Sequence, residues 1–170
     1  MVICCRKGFT LLEVIVVVAI IATIVAISFP AIISWRENTL YRDQAQTFLG
    51  AMFQAKSLAV SSNLQARVEF DIGNSRYRVT QGDRAEKSTT WDTVVTDWSS
   101  VPASIALRSG NDCAATADIS LEFCPNGTAT VNDDATSTSG YICVMDPSNL
   151  TEKYKVGVAS TIAGRPSIEK

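Results

Sequence analysis

The sequence predicts an α+β protein in which one long N-terminal helix, apolar over its first half and amphipathic over its second, packs on an antiparallel β-sheet domain. Three observations carry that prediction. Between Gly8 and Arg36 the sole ionisable side chain is Glu13. From Tyr41 to Ala59 the apolar residues recur at helical spacing. Beyond Asn63 the apolar period changes from 3.6 to 2, and clusters of Gly, Asn, Asp, Ser and Pro punctuate short strand-like runs.

The first element is a membrane span over residues 9–29. Phe9 to Phe29 reads FTLLEVIVVVAIIATIVAISF, about 31 Å of helix at about 1.5 Å per residue and close to the hydrocarbon thickness of a bilayer. Arg6 and Lys7 precede it, and the next basic residue is Arg36, which places the first eight residues in the cytoplasm and the chain beyond the span outside. A secretory signal peptide also joins a basic start to an apolar run. This run is longer than the usual h-region, holds a carboxylate near its start and ends in no A-x-A site. A plain anchor would leave Glu13 as an unexplained cost. Pro30 follows the span and lacks an N–H, so a continuous helix must kink or locally melt near Ala26 to Ser28.

The junction Lys7-Gly8-Phe9-Thr10-Leu11-Leu12-Glu13 resembles the class III signal of type IV pilins and type II secretion pseudopilins. The resemblance implies that a prepilin peptidase cuts between Gly8 and Phe9 and methylates the new amine of Phe9. Residues 1–8 would then be a cleaved cytoplasmic leader, leaving 162 of the 170 residues. Gly8 suits a scissile position that must enter a narrow site in extended form. Glu13 needs a cation in lipid, and after cleavage the nearest is the α-amino group of a Phe9, its own or a neighbour's. The resemblance favours the neighbour's, which makes Glu13 an assembly residue that fixes axial register. The residues alone also allow a carboxylate placed in the first turn for the helix macrodipole. Pilins commonly carry a proline at the place of Pro30, and the resemblance implies the type IV pilin fold.

Residues 30–62 form the amphipathic half of the helix. Tyr41, Ala45, Phe48, Leu49, Met52, Ala55 and Ala59 lie on one stripe, while Asp43, Gln46, Gln54 and Ser57 point elsewhere. Residues 63–170 form a β-rich globular domain. Ala66, Val68, Phe70 and Ile72 alternate with Arg67, Glu69 and Asp71, Gly73-Asn74-Ser75 turns, and Tyr77 and Val79 alternate with Arg76, Arg78 and Thr80, a hairpin with one apolar face. Ser104–Leu107, Ile119–Phe123, Thr128–Val131, Tyr141–Met145 and Lys153–Val158 are further strands of one antiparallel sheet. Gln81 to Val101 reads as a loop with a short strand, its Trp91 and Trp98 packing in the core or at an edge.

The run Ile119-Ser120-Leu121-Glu122-Phe123-Cys124-Pro125-Asn126-Gly127-Thr128-Ala129, followed by Tyr141-Ile142-Cys143-Val144, Lys155-Val156-Gly157-Val158 and Gly164-Arg165-Pro166, is similar to the ending of the GspH/FimT group of minor pilins and pseudopilins. Its glycines and proline are turn residues open to any β domain; their order and spacing carry the likeness. Of five cysteines, Cys4 and Cys5 leave with the leader. Cys113, Cys124 and Cys143 lie in a compartment that permits disulfides. The resemblance favours Cys113 with Cys143. Cys124 with Cys143 stays open, because those residues sit on consecutive strands that a hairpin could pair. No metal or cofactor is expected: the three cysteines lack C-x-x-C spacing and a histidine partner, and Asp133-Asp134 lacks EF-hand spacing.

The chain has no histidine, which removes imidazole bases, Ser-His-Asp and Cys-His nucleophiles and histidine-bound metals. With no phosphate loop or nucleophile elbow either, it reads as a structural protein and not an enzyme. Lys and Arg number 15 against 17 Asp and Glu, and after Ala31 they number 13 against 16. Some relatives bind DNA through a Gly-Arg-x-Arg ending, but this chain has Gly164-Arg165-Pro166-Ser167, so DNA is not an expected partner. What the resemblance implies is a minor type IV pilin, a low-abundance subunit that helps to initiate pilus assembly near the tip. Its implied setting is the bacterial inner membrane, single-pass with a periplasmic C-terminal domain, and then the pilus. The implied partners are other pilin or pseudopilin subunits through the N-terminal helix, prepilin peptidase, the inner-membrane assembly machinery and, before assembly, the lipid bilayer. A GspH-type pseudopilin of a type II secretion system and a DNA-uptake minor pilin are the alternatives.

Overall fold

A computed structural model describes residues 10–132, 140–160 and 164–170, with the backbone alone at 29–35. A single helix, α1 (Leu11–Ser62), comes first. It is followed by β1 (Ala66–Asp71), β2 (Arg76–Gln81), β3 (Thr93–Ser100), β4 (Ala106–Ser109), β5 (Ile119–Phe123), β6 (Ala129–Val131), β7 (Gly140–Met145), β8 (Glu152–Val158) and β9 (Pro166–Glu169). The chain divides into two compact units, Met1–Thr39 and Leu40–Lys170, with the boundary inside α1. The helix runs across Pro30 without unwinding, so the local melting allowed at Ala26 to Ser28 does not occur. The missing N–H of Pro30 leaves the Ala26 carbonyl without its helical donor.

In the second unit the strands form two antiparallel sheets, ordered β3-β2-β1-β5-β6 and β4-β7-β8-β9, where one sheet was expected. A helix about 10 Å across cannot cover the apolar face of a single sheet of that width. The second sheet instead contributes to the core shared by the helix and the first. Tyr41, Ala45, Phe48, Met52, Ala55 and Ala59 are buried with Val68, Phe70, Leu121 and Phe123 of the first sheet and Ile142, Val144, Val156 and Val158 of the second. Leu49 of the expected stripe is half-buried. Phe48 meets Phe70 and Tyr77 edge-on, at 5.1 and 5.2 Å between ring centres.

The β1–β2 hairpin forms in the expected register, Phe70 opposite Tyr77 and Asp71 opposite Arg76. Two elements differ from expectation. Residues 93–100 form a full eight-residue edge strand, not a loop with a short strand. Both its faces are largely exposed and its pairing with β2 shifts register twice, so no alternation marks it in the sequence. β9 was not expected either. It opens on Pro166, whose missing N–H is tolerated at the first residue of an edge strand. Trp98 lies on the edge strand β3, under Arg76 and Arg78 at 4.3 and 4.5 Å, whereas Trp91 packs under Arg67 of the central strand β1 at 4.2 Å.

Candidate functional site

The start of α1 is built by Thr10. Its hydroxyl accepts the backbone N–H of Glu13 at 3.2 Å and its carbonyl accepts that of Val14 at 3.3 Å. Thr10 is therefore the N-cap and Glu13 the third helical residue, the T-x-x-E arrangement of a capping box. Sequence reasoning missed this role for Thr10, although the four-residue signature ahead of an apolar run was there to be read. Glu13 thus stands in the first turn, where the positive end of the helix favours a carboxylate. It is exposed, and among the described residues it has no ion-pair partner.

Above Glu13 the helix is apolar on every side. Leu11–Ser28 has a mean hydropathy of 2.9 and none of it is buried in the chain. Its hydroxyl groups are turned inward: Thr23 Oγ1 donates to the Ile20 carbonyl at 2.8 Å and Ser28 Oγ to the Ile24 carbonyl at 2.9 Å. Such back-bonding removes the polar groups that a lipid or protein interior would penalise. A helix apolar all round is stable only when something else buries it. Gly8, Phe9, Cys4, Cys5 and Asp133-Asp134 lie outside the described residues, as does the side chain of Pro30.

Cys113, in the connection after β4, is joined to Cys143 of β7 by a disulfide, with Cα atoms 5.7 Å apart. The two cysteines are buried with Met145 in a small cluster of their own. The alternative Cys124–Cys143 pairing is not formed. It assumed a hairpin between the two strands, whereas β5 pairs with β1 and β6 and β7 pairs with β4 and β8, in different sheets. The free thiol of Cys124 is buried, its sulfur accepting from Gln65 Nε2 at 3.2 Å.

Several charged groups of the β domain are engaged with one another. A cavity of about 310 Å³ lies beside Glu69, Asp71, Trp98 and Asp118. Glu69 is held by Arg67 and Arg78, and Asp118 accepts the Ile72 N–H at 2.8 Å. Hydrogen bonds from Asn74, then Arg76 at 2.8 Å, hold the Asp71 carboxyl below the usual carboxylate range. Buried Glu122 accepts from Ser120 Oγ at 3.0 Å and Thr130 Oγ1 at 2.8 Å. Among the described residues no group of His, Cys, Asp or Glu is arranged to hold a metal. Near the C-terminus Lys153 and Lys155 face Asp146 and Glu152, each at 3.7 Å.

The glycines of the C-terminal segment have a steric reason. A Cβ on Gly157 would collide with the Gly140 carbonyl of the neighbouring strand, and one on Gly164, whose φ is +50°, with the Gly127 carbonyl. Lys56 Nζ of α1 donates to the Gly164 carbonyl at 2.8 Å, fastening this segment to the helix.

Residues 4–29 match the prokaryotic N-terminal methylation motif. The fold is similar to that of the type IV minor pilin FimU of Pseudomonas aeruginosa, with a TM-score of 0.55 and 13% identity over 80% of this chain and 92% of that one. It is similar to the minor pseudopilin EpsH of the Vibrio cholerae type 2 secretion system, with a TM-score of 0.53 and 14% identity over 75% and 94%. It is also similar to Escherichia coli GspH, at 0.53 and 11% over 78% and 89%. No curated protein matches the sequence. The chain thus carries the N-terminal methylation motif and shares its fold with the minor pilin FimU, the minor pseudopilin EpsH and GspH.

Proposed function

We propose that the chain is a minor type IV pilin, a low-abundance structural subunit without catalytic activity that helps to initiate pilus assembly near the tip. The observation that carries this reading is the helix Leu11–Ser28, apolar all round, buried by none of the described residues and headed by the capped Glu13. Before assembly the lipid bilayer covers it, residues 1–8 in the cytoplasm and the domain in the periplasm. Prepilin peptidase cleaves between Gly8 and Phe9 and methylates Phe9, and the assembly machinery moves the helix from lipid into a filament core. There Glu13 pairs with the Phe9 amine of a neighbouring subunit, an exchange that replaces a costly carboxylate in lipid by an ion pair. Pro30 marks the place where the helix bends. By resemblance alone, the Phe123-Cys124-Pro125-Asn126-Gly127 run and the unpaired third cysteine lean slightly toward the pilus and away from a GspH-type pseudopilin.

Glu13→Ala tests the pairing. The change makes the helix more apolar, so membrane insertion is retained, while the amount of protein in sheared surface filaments falls at least tenfold; incorporation at the wild-type level would refute the role of Glu13. Deleting the gene decides between the two filaments. Loss of surface pili with normal protein secretion supports the minor pilin, and loss of secretion with intact pili supports the pseudopilin.

A further inference from the structure

The connection between β2 and β3, residues 82–92, is built more tightly than a surface loop requires. A Cβ on Gly82 would collide with Ser88 and press on the Trp91 ring. Ser88 is buried. Its N–H donates to Gln65 Oε1 at 2.6 Å, and its hydroxyl donates to the Arg84 carbonyl at 3.0 Å and accepts the Arg84 N–H at 3.1 Å. Asp83 Oδ1 accepts the N–H groups of Thr89 and Thr90 at 3.2 and 3.3 Å. These bonds hold Lys87 at a φ of +51°, in the left-handed region where a lysine is strained and a glycine is not. Lys87 is exposed, and its ammonium has no partner among the described residues. Strain kept in place by a well-bonded surrounding points to a use for the side chain it presents.

Beside Lys87 lies an open cavity of about 510 Å³, lined by Arg67, Lys87, Ser88, Thr89 and Trp91 and, among the described residues, by no carboxylate. Arg67 brings it no free charge. That guanidinium is paired with Glu69, donates to Thr80 Oγ1 at 3.3 Å and lies over Trp91 at 4.2 Å. Lys87 is therefore the uncompensated cation of the cavity, set beside an indole and the Thr89 side chain. One point charge matches a single carboxylate, whereas a phosphate monoester, close to two negative charges, calls for more donors than one lysine supplies. The carboxylate of an acidic peptide side chain would leave the indole and most of the volume unfilled. A pyranose that carries a carboxylate fills all three roles: an apolar C–H face for Trp91, hydroxyls for Thr89 and an anion for Lys87.

We propose that this cavity binds an acidic polysaccharide, taking up one uronic acid unit with its ring against Trp91 and its carboxylate on Lys87. The site stands on its own residues and does not depend on the pilin reading. The test measures how far the full chain in detergent is retarded in gels that contain polygalacturonate, with dextran as the neutral polysaccharide and poly-glutamate as the acidic polymer without sugar. The expected result is that polygalacturonate retards the wild type and Lys87→Arg, that dextran and poly-glutamate do not, and that Lys87→Gly and Trp91→Ala bind polygalacturonate about tenfold more weakly. Lys87→Gly separates binding from folding. Glycine relieves the strained φ, so this variant unfolds at or above the wild-type temperature and still loses retardation, which a lysine with a purely structural role would not give. A wild type that polygalacturonate leaves unretarded, or a Lys87→Gly variant retarded as strongly as the wild type, overturns the proposal. Equal retardation by poly-glutamate would reduce the cavity to a plain anion site, and equal retardation by dextran to a neutral-sugar site; either result overturns it as well.

Discussion

Tyr141 fastens the C-terminal strand. Its hydroxyl donates to Glu169 Oε1 at 2.8 Å, and burial, followed by the neighbouring carboxylate, pushes the phenol up to about 12 from 10.0. The folded state thus holds this proton more tightly than the unfolded chain. The resulting stabilisation is complete below about pH 10, declines as pH rises and is gone above about pH 12. Tyr141→Phe should therefore unfold at a lower temperature than wild type at pH 8, with the difference shrinking between pH 10 and 12 in a thermal titration. A constant difference across that window would remove the Glu169 bond as its cause. The sequence shows nothing of this contact, since the two residues meet only through β8 lying between their strands. Glu13 is the opposite case. A lone charge in an apolar run announces itself, and the cap that positions it was equally legible in Thr10 three residues earlier.

The connection between β4 and β5 is held to β7 by the Cys113–Cys143 bridge, 30 residues apart in sequence. Closing a loop of that length removes enough freedom from the unfolded chain to contribute about 3 kcal/mol. The Cys113→Ser, Cys143→Ser double variant should lose about that much in a urea titration, while Cys124→Ser leaves the bridge intact; an unchanged midpoint in the double variant would contradict the estimate. The bridge also shows what periodicity leaves open. β1 was readable because one face is buried and the other is not, so its side chains alternate, and β2 and β5 because their apolar residues are spaced two apart. β3 is exposed on both faces and β9 starts on a proline, and neither leaves an alternating trace. The partition into two sheets was not legible at all. Alternation reports which face is buried, but carries no record of which strand supplies the hydrogen bonds, and the competing Cys124–Cys143 pairing depended on that missing information.

The molecule as a whole joins an apolar helical stretch, Leu11–Ser28, whose one charge is Glu13, to a domain in which several arginines are engaged by carboxylates and tryptophans. Arg67, Arg76 and Arg78 engage Glu69, Asp71 and the two tryptophans, and the chain after Ala31 carries 13 basic against 16 acidic residues. Affinity for nucleic acid grows with the number of phosphates that free cations can neutralise, and falls steeply with salt for the same reason. Purified mature protein in detergent should accordingly give no mobility shift with double-stranded DNA at 150 mM salt, and a salt-sensitive shift would restore the DNA-uptake alternative. The apolar half calls for a different measurement, because on the proposed reading its role depends on an amine that must first be created. The N-terminal methylation motif matches residues 4–29 and so spans the junction between Gly8 and Phe9. The proposed cleavage there would place a new cationic group four positions before Glu13. Intact-mass and N-terminal analysis of protein from membranes should find a chain starting at methylated Phe9, and a Gly8→Ala variant should retain the leader and stay out of filaments. A mature protein that still begins at Met1 would leave Glu13 without its cation, and the pilin reading would fall with it.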